Sequence, residues 1–221
     1  GTIYQRHITG MIDGKLIKIC GMRDADNIRR ICRLRPDYMG FIFWEHTPRT
    51  AIGMPVSNIS LLPPPTRPVA VFVNETEESV LSVCAAYGID TVQLHGSETA
   101  DMCRLLSSHG LHVWKAFGLH DGFDFNALDP YIDAVDMFVF DTKTPGKGGS
   151  GQRFDWSILD RYSLDVPYLL SGGIGADSAA DVLDAFSRPY LAGIDLNSRF
   201  ESSPGIKDSE KLTNFANSLK K

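Results

Sequence analysis

The strongest constraint on this chain is an alternation that repeats eight times. Short apolar runs rich in β-branched and aromatic residues recur, and each is followed by a longer amphipathic or polar stretch. The runs are LIKICG (16–21), YMGFIFW (38–44), VAVFVN (69–74), TVQLHG (91–96), HVWKAF (112–117), MFVFDT (137–142), YLLSGG (168–173) and LAGIDLN (191–197). Runs this short and this apolar read as buried parallel strands. The intervening stretches predict helices over 24–35, 75–87, 97–109, 126–134, 156–162, 176–186 and 208–219. Asp24 suits an N-cap, and Pro36 stops the first helix. Gly88 and Gly110 suit the left-handed residue that closes a helix. The stretch 51–66 contains PVSNISLLPPP, which permits only a short or irregular helix.

Eight strands, each followed by a helix, predict an α/β fold of the single (β/α)8-barrel (TIM-barrel) type. An open doubly wound sheet is the alternative. It is disfavoured because eight units fit between residues 16 and 221 and no G-x-G-x-x-G follows the first strand. No linker or shift in composition divides the chain. Residues 1–15 therefore read as an N-terminal extension, polar over GTIYQRHITG (1–10), and 16–221 as one catalytic domain.

Composition excludes several function classes. The net charge is −5 with no basic tract, which argues against nonspecific binding to nucleic acid or an anionic membrane. An anionic ligand then needs a local cluster of positive groups. No apolar run approaches the roughly 20 residues of a membrane span, and the N-terminus lacks a signal-peptide pattern, so a cytoplasmic protein is expected. The cysteines Cys20, Cys32, Cys84 and Cys103 form no C-x-x-C pair and no His/Cys cluster with zinc spacing, so they read as reduced thiols and no metal site is expected. Cys32, Cys84 and Cys103 fall in helical patterns as small buried apolar residues.

In a (β/α)8 barrel the chemistry sits at the C-terminal ends of the strands. Two strand-end residues are reactive and come from different strands, Cys20 and Asp141. Side chains alternate along a strand, so Lys18 shares a face with Cys20, and Asp195 shares one with Asn197. A Lys and an Asp inside a barrel need partners, which predicts that Lys18 and Asp195 meet there. The segment KTPGKGGSGQRFDW (143–156), directly after Asp141, has the composition of a loop that closes over a ligand. SGGIGADS (171–178) and DLNSRFE (195–201) follow strands seven and eight, where this fold commonly binds phosphate. Gly172, Gly173, Asn197 and Ser198 are the expected phosphate-binding residues, with a further short helix after strand eight. Arg49, in PRT after strand two, offers a planar fork suited to a carboxylate.

These motifs resemble the phosphoribosylanthranilate isomerase family of tryptophan biosynthesis. The resemblance rests on KICG (18–21), GFIF (40–43) with PR (48–49), VQLHG (92–96), KAF (115–117), FDT (140–142), GGSGQRFDW (148–156), LSGGI (170–174), and GIDLNS (193–198) with PGIKD (204–208). It runs in order from about Leu16 to the C-terminus, one motif per strand. It implies an Amadori rearrangement of an anionic phosphosugar substrate that needs no metal and no cofactor, carried out by a monomer or homodimer. By resemblance, Asp141 is the general acid that protonates the furanose ring oxygen. Cys20 is the general base that removes the C2 proton. Arg49 holds the anthranilate carboxylate, the SGG segment and Asn197-Ser198 hold the phosphate, and Asp195 orients the site or binds a substrate hydroxyl. A thiol near pKa 8.5 is only a few per cent thiolate at neutral pH, so the base needs a positive neighbour, for which Lys18 is the candidate. Asp141 must be partly protonated, which burial or a neighbouring carboxylate such as Asp195 promotes.

FIFWEHTPR departs from the commoner family pattern at Trp44, Glu45 and His46, at the edge of the expected anthranilate pocket. Trp44 has the shape to stack on the ring. A glutamate there is unfavourable for an anionic substrate unless it points away. His95 stands at the mouth in either a structural or a substrate-contact role. Cys20 at the end of strand one argues against the histidine-pathway sister barrel, which resembles a two-aspartate design. The short N-terminus argues against indole-glycerol-phosphate synthase, which carries an extra N-terminal helix. The remaining alternatives are an isomerase of another phosphoribosyl compound and a phosphosugar-binding barrel without activity, and the presence of both Cys20 and Asp141 weighs against the second.

Overall fold

The structure is a computed structural model that describes residues 11–12, 14–142 and 156–220. The polar stretch 1–10 and nearly all of the glycine-rich segment after Asp141 (143–155) lie outside the described residues. The chain runs β1 (Leu16–Cys20), α1 (Ala25–Cys32), β2 (Tyr38–Ile42), β3 (Arg67–Phe72), α2 (Glu77–Tyr87), β4 (Thr91–Leu94), α3 (Ala100–Ser108), β5 (His112–Leu119), β6 (Met137–Thr142), β7 (Tyr168–Ser171), α4 (Ala179–Ala185), β8 (Leu191–Leu196), β9 (Glu201–Ser203), β10 (Ile206–Lys207) and α5 (Ser209–Ser218). The first eight strands are parallel to their neighbours and close into a barrel through the β1–β8 pairing. This is the expected (β/α)8 architecture, and the open-sheet alternative is excluded.

Local chemistry explains the boundaries. Asp24 caps α1 by accepting from the Asn27 N–H at 2.8 Å. Gly88 closes α2 at φ +65°, and Gly110 follows α3 at φ +86°. Between β2 and β3 stands only a 3-10 turn, Val56–Leu61, as the prolines require.

Two expected helices are not α-helices. The stretch predicted over 126–134 is a 3-10 turn, Phe125–Tyr131, with Pro130 inside it; proline has no N–H to extend an α ladder. The stretch predicted over 156–162 is likewise a 3-10 turn, Trp156–Arg161, too short for α propagation to offset nucleation. It is held instead by burial of Ile158 and Leu159. After β8 the expected short helix is a single 3-10 turn, Ser198–Phe200. It leads into a two-stranded antiparallel hairpin, β9–β10, that the apolar pattern does not announce. Pro204 and Gly205 make its turn, with Gly205 at φ +84° as a type II turn demands.

The core has two parts. Residues such as Ile19, Phe41, Phe72, Phe140 and Leu170 point outward and pack under the helices. Cys20, Val71, Trp114, Ala116, Val139 and Leu169 fill the barrel interior. Strand alternation separates the two sets and leads the interior residues up to the C-terminal mouth. Cys32, Cys84 and Cys103 are buried in the outer part as expected.

Candidate active site

The interior of β1 carries the first part of the site. Lys18 stands opposite Asp195 in the β1–β8 register, and Lys18 Nζ donates to Asp195 Oδ2 at 2.9 Å with both side chains buried. The sequence-derived pairing is therefore present. Asp195 Oδ1 has no hydrogen-bond partner among the described residues. Burial lowers the Lys18 pKa, but the charges of Asp195 and Cys20 and the hydrogen bonds to both together outweigh it and hold the pKa above the ordinary value. Burial pushes the Asp195 carboxyl up against the pull of Lys18.

Cys20 lies one turn of the pleat above Lys18, only 4% exposed. Its neighbour across the β1–β2 pairing is Gly40. A Cβ on Gly40 would stand 2.8 Å from Cys20 Sγ and 3.2 Å from Lys18 Cε, so the glycine makes the space both side chains occupy. Burial raises the Cys20 pKa, and the charge of Asp195 adds to the rise. Lys18, by charge and hydrogen bonding, and Lys207, by charge, pull it down without reversing it. Burial thus favours the neutral thiol form of Cys20.

Asp141, at the end of β6, carries the second part. His95 Nε2 lies 3.3 Å from Asp141 Oδ2, and Gln93 Nε2 lies 2.9 Å from His95 Nδ1. His95 thus stands at the mouth in contact with Asp141. The backbone beside it is pinned: Gly96 N–H donates to Glu98 Oε2 at 2.9 Å, and Gly96 carbonyl accepts from Lys115 Nζ at 2.8 Å. Lys115 and Glu98 form a buried pair at 3.3 Å. Gly172, at φ +88°, abuts Asp141 so closely that a Cβ there would collide with Asp141 Oδ1.

The expected phosphate residues stand at the mouth as predicted from strand ends. Gly173 is exposed, at φ +68°, with open space where a side chain would be. Thr142 Oγ1 donates to the carbonyls of Ser171 and Gly172 at 2.9 and 3.1 Å, fixing the turn that presents them. Ser198 is exposed beside the half-buried Asn197.

Arg49 reaches the mouth but meets a carboxylate of the chain itself. Its Nε and Nη2 grip Glu201 of β9 at 2.9 and 2.7 Å. Glu201 Oε1 also accepts from Lys207 Nζ at 2.6 Å, and Lys207 Nζ donates to Asn197 Oδ1 at 3.0 Å. Glu201 and Lys207 were not among the residues singled out from sequence, although both fall beside the PG turn of the hairpin. Glu45 and His46 pair with each other at 3.3 Å and are largely exposed, so Glu45 does point away. Trp44 packs edge-on against His46, with ring centroids 5.5 Å apart.

Fold and site together define a (β/α)8-barrel enzyme whose mouth gathers a buried thiol, two carboxylates and a local cationic cluster. A family model described as N-(5'phosphoribosyl)anthranilate (PRA) isomerase matches residues 17–218. The N-(5'-phosphoribosyl)anthranilate isomerase of Parabacteroides distasonis is 44% identical over 202 residues, 90% of this chain and 91% of that protein. The phosphoribosyl anthranilate isomerase structure from Thermotoga maritima superposes with TM-score 0.78 at 30% identity, over 93% of this chain and 98% of that one. A phosphoribosyl anthranilate isomerase solved in complex with reduced 1-(o-carboxyphenylamino)-1-deoxyribulose 5-phosphate superposes with TM-score 0.75 at 27% identity, again over 93% and 98%. The chain belongs to the phosphoribosylanthranilate isomerase family.

Proposed function

We propose that the chain converts N-(5-phosphoribosyl)anthranilate to 1-(o-carboxyphenylamino)-1-deoxyribulose 5-phosphate, an Amadori rearrangement of tryptophan biosynthesis, in the cytoplasm. Asp141 protonates the furanose ring oxygen, the C1–O bond breaks, and the anthranilate nitrogen becomes a Schiff base. Cys20 then takes the C2 proton, and the electron pair moves to give the enolamine. Tautomerisation of the enol at C2 to the ketone completes the isomerisation, so no oxidant or reductant is consumed. His95 orients the Asp141 carboxyl through Nε2. Gly172, Gly173, Asn197 and Ser198 hold the phosphate, Arg49 faces the anthranilate carboxylate, and Asp195 Oδ1 accepts from a substrate hydroxyl.

The observation that carries this reading is that Cys20 and Asp141 end two inward-facing strands of one closed barrel, β1 and β6. Asp195 of β8 lies between them in the strand order, paired with Lys18 below Cys20. An acid and a base brought around one space are what a ring-opening followed by C2 deprotonation requires. The test is to generate phosphoribosylanthranilate in situ and follow loss of its fluorescence, with EDTA present. Rapid decay that depends on Asp141 and Cys20 supports the reading. No decay with folded protein rejects the substrate assignment and leaves the isomerase of another phosphoribosyl compound and the non-catalytic phosphosugar-binding barrel.

A further inference from the structure

Arg49 is not an open fork awaiting a ligand. Glu201 occupies its Nε–Nη2 edge with three contacts, at 2.9, 3.1 and 2.7 Å. The edge left is the end-on one, Nη1 with Nη2. Glu201 is in turn fixed from behind by Lys207 Nζ at 2.6 Å and by the Gly205 N–H at 3.1 Å. Lys207 is itself tied down at its backbone. Its N–H donates to Asn27 Oδ1 and its carbonyl accepts from Asn27 Nδ2, both at 2.8 Å, which ties β10 to α1. The side chain of Lys207 is fully buried. Arg49, Lys207 and Asn197 converge on Gly21, immediately after Cys20. A Cβ there would stand 3.0 Å from Arg49 Cδ, 3.2 Å from Lys207 Nζ and 2.9 Å from Asn197 Oδ1.

The charges decide what this arrangement does. Arg49 and Glu201 alone would be neutral, and a neutral pair is a poor receptor for an anion. Lys207 restores a net positive charge to the trio. Burial raises the Glu201 carboxyl, but the hydrogen bonds from Arg49 and Lys207 hold it below the ordinary range, so it stays ionised. Arginine held on one edge by a buried carboxylate loses little further freedom when its other edge binds a second carboxylate.

We propose that Glu201 and Lys207 are positioning residues for substrate selection: the β9–β10 hairpin holds Arg49 so that only its end-on edge meets the aromatic carboxylate. This rests on the isomerase reading above and goes beyond it. The selectivity for a carboxylated aromatic amine lies in a strap of the chain that does not touch the reacting atoms.

The test compares the wild type, Glu201→Gln, Lys207→Met and Lys207→Arg with two substrates, phosphoribosylanthranilate and the analogue built on aniline, which lacks the carboxylate. Glu201→Gln keeps the shape and one acceptor but frees Arg49. The expected result is a KM for the carboxylated substrate raised about tenfold or more, with kcat changed by less than about threefold. With the aniline analogue the variant and wild type should match. Lys207→Met should raise KM for the carboxylated substrate alone, as Glu201→Gln does, while its kcat falls equally on both substrates because a positive charge near Cys20 is lost, and Lys207→Arg should recover most of both losses. An unchanged KM, or an equal rise of KM on both substrates, overturns the inference. Thermal melting identifies a variant that fails to fold, and Glu201→Asp, which keeps the charge and shortens the reach, then replaces it: the inference requires KM to rise with the carboxylated substrate alone. A wild type that converts neither substrate would instead reject the isomerase reading itself.

Discussion

Lys18 of β1 and Asp195 of β8 are register partners across the seam that closes the barrel, and their charged groups meet 2.9 Å apart with no access to solvent. A buried pair is costly to break from one side, because the remaining charge has nowhere to go. Lys18→Met should destabilise the fold by about 3–5 kcal/mol, whereas Lys18→Met combined with Asp195→Asn should recover much of that loss. Urea unfolding of the two variants checks this. The pH dependence has a definite sign. The folded-state pKa of Lys18 is raised, so its contribution is complete below the ordinary lysine value and is lost as pH rises through the folded value. Wild-type melting should therefore fall at strongly alkaline pH, and the double variant should lack that component.

Cys20→Ser and Asp141→Asn should each lower kcat/KM by about 10² to 10⁴, the usual worth of a positioned acid or base. Steady-state fluorescence assays measure it. Near-full turnover in either variant would reassign that role.

Burial holds the Cys20 thiol above its ordinary range, and a general base works only when deprotonated. Thiolate absorbance of the wild type relative to Cys20→Ser should accordingly appear only above the ordinary thiol value of about 8.5. Lys207 pulls the thiol down by charge, so Lys207→Met should move that titration to still higher pH. A Cys20 thiolate already formed at neutral pH contradicts the burial of the thiol as its dominant influence.

Gly40→Ala puts a methyl group 2.8 Å from Cys20 Sγ in a packed interior. Overpacking of this kind costs about 1–3 kcal/mol, which in a domain of this size lowers Tm by several degrees. Activity should fall as well, because the displaced atom is the proposed base. Calorimetry and the turnover assay read the two effects separately. Unaltered Tm and rate would mean that the site relaxes around the methyl.

Much of the barrel was legible because each strand must bury both faces and each helix one. That leaves an apolar rhythm that local sequence carries directly. Caps were legible for the same local reason, as at Asp24 and Gly88. The segments over 126–134 and 156–162 were misread because an apolar spacing compatible with a helix is also met by a 3-10 turn. In the first of them Pro130 removes the donor on which the difference depends. The β9–β10 hairpin was missed because two short strands without an apolar alternation leave no period to read; the Pro204-Gly205 pair was its one signal.

The site divides along the same line. Strand ends and side-chain alternation suffice to place Cys20, Lys18, Asp141 and Asp195 around one mouth, since alternation is a property of any strand and closure brings the ends together. The sequence by itself thus determined the fold, the family resemblance and the residues available for proton transfer. Which groups actually touch was decided only by tertiary structure. His95 meets Asp141 because the closed sheet brings the residue after β4 beside the end of β6, two strands along the barrel wall. Arg49 meets Glu201 across a separation of 152 residues. No local pattern encodes a contact of that length, because the partners are chosen by the register and curvature of the closed sheet rather than by their neighbours in the chain.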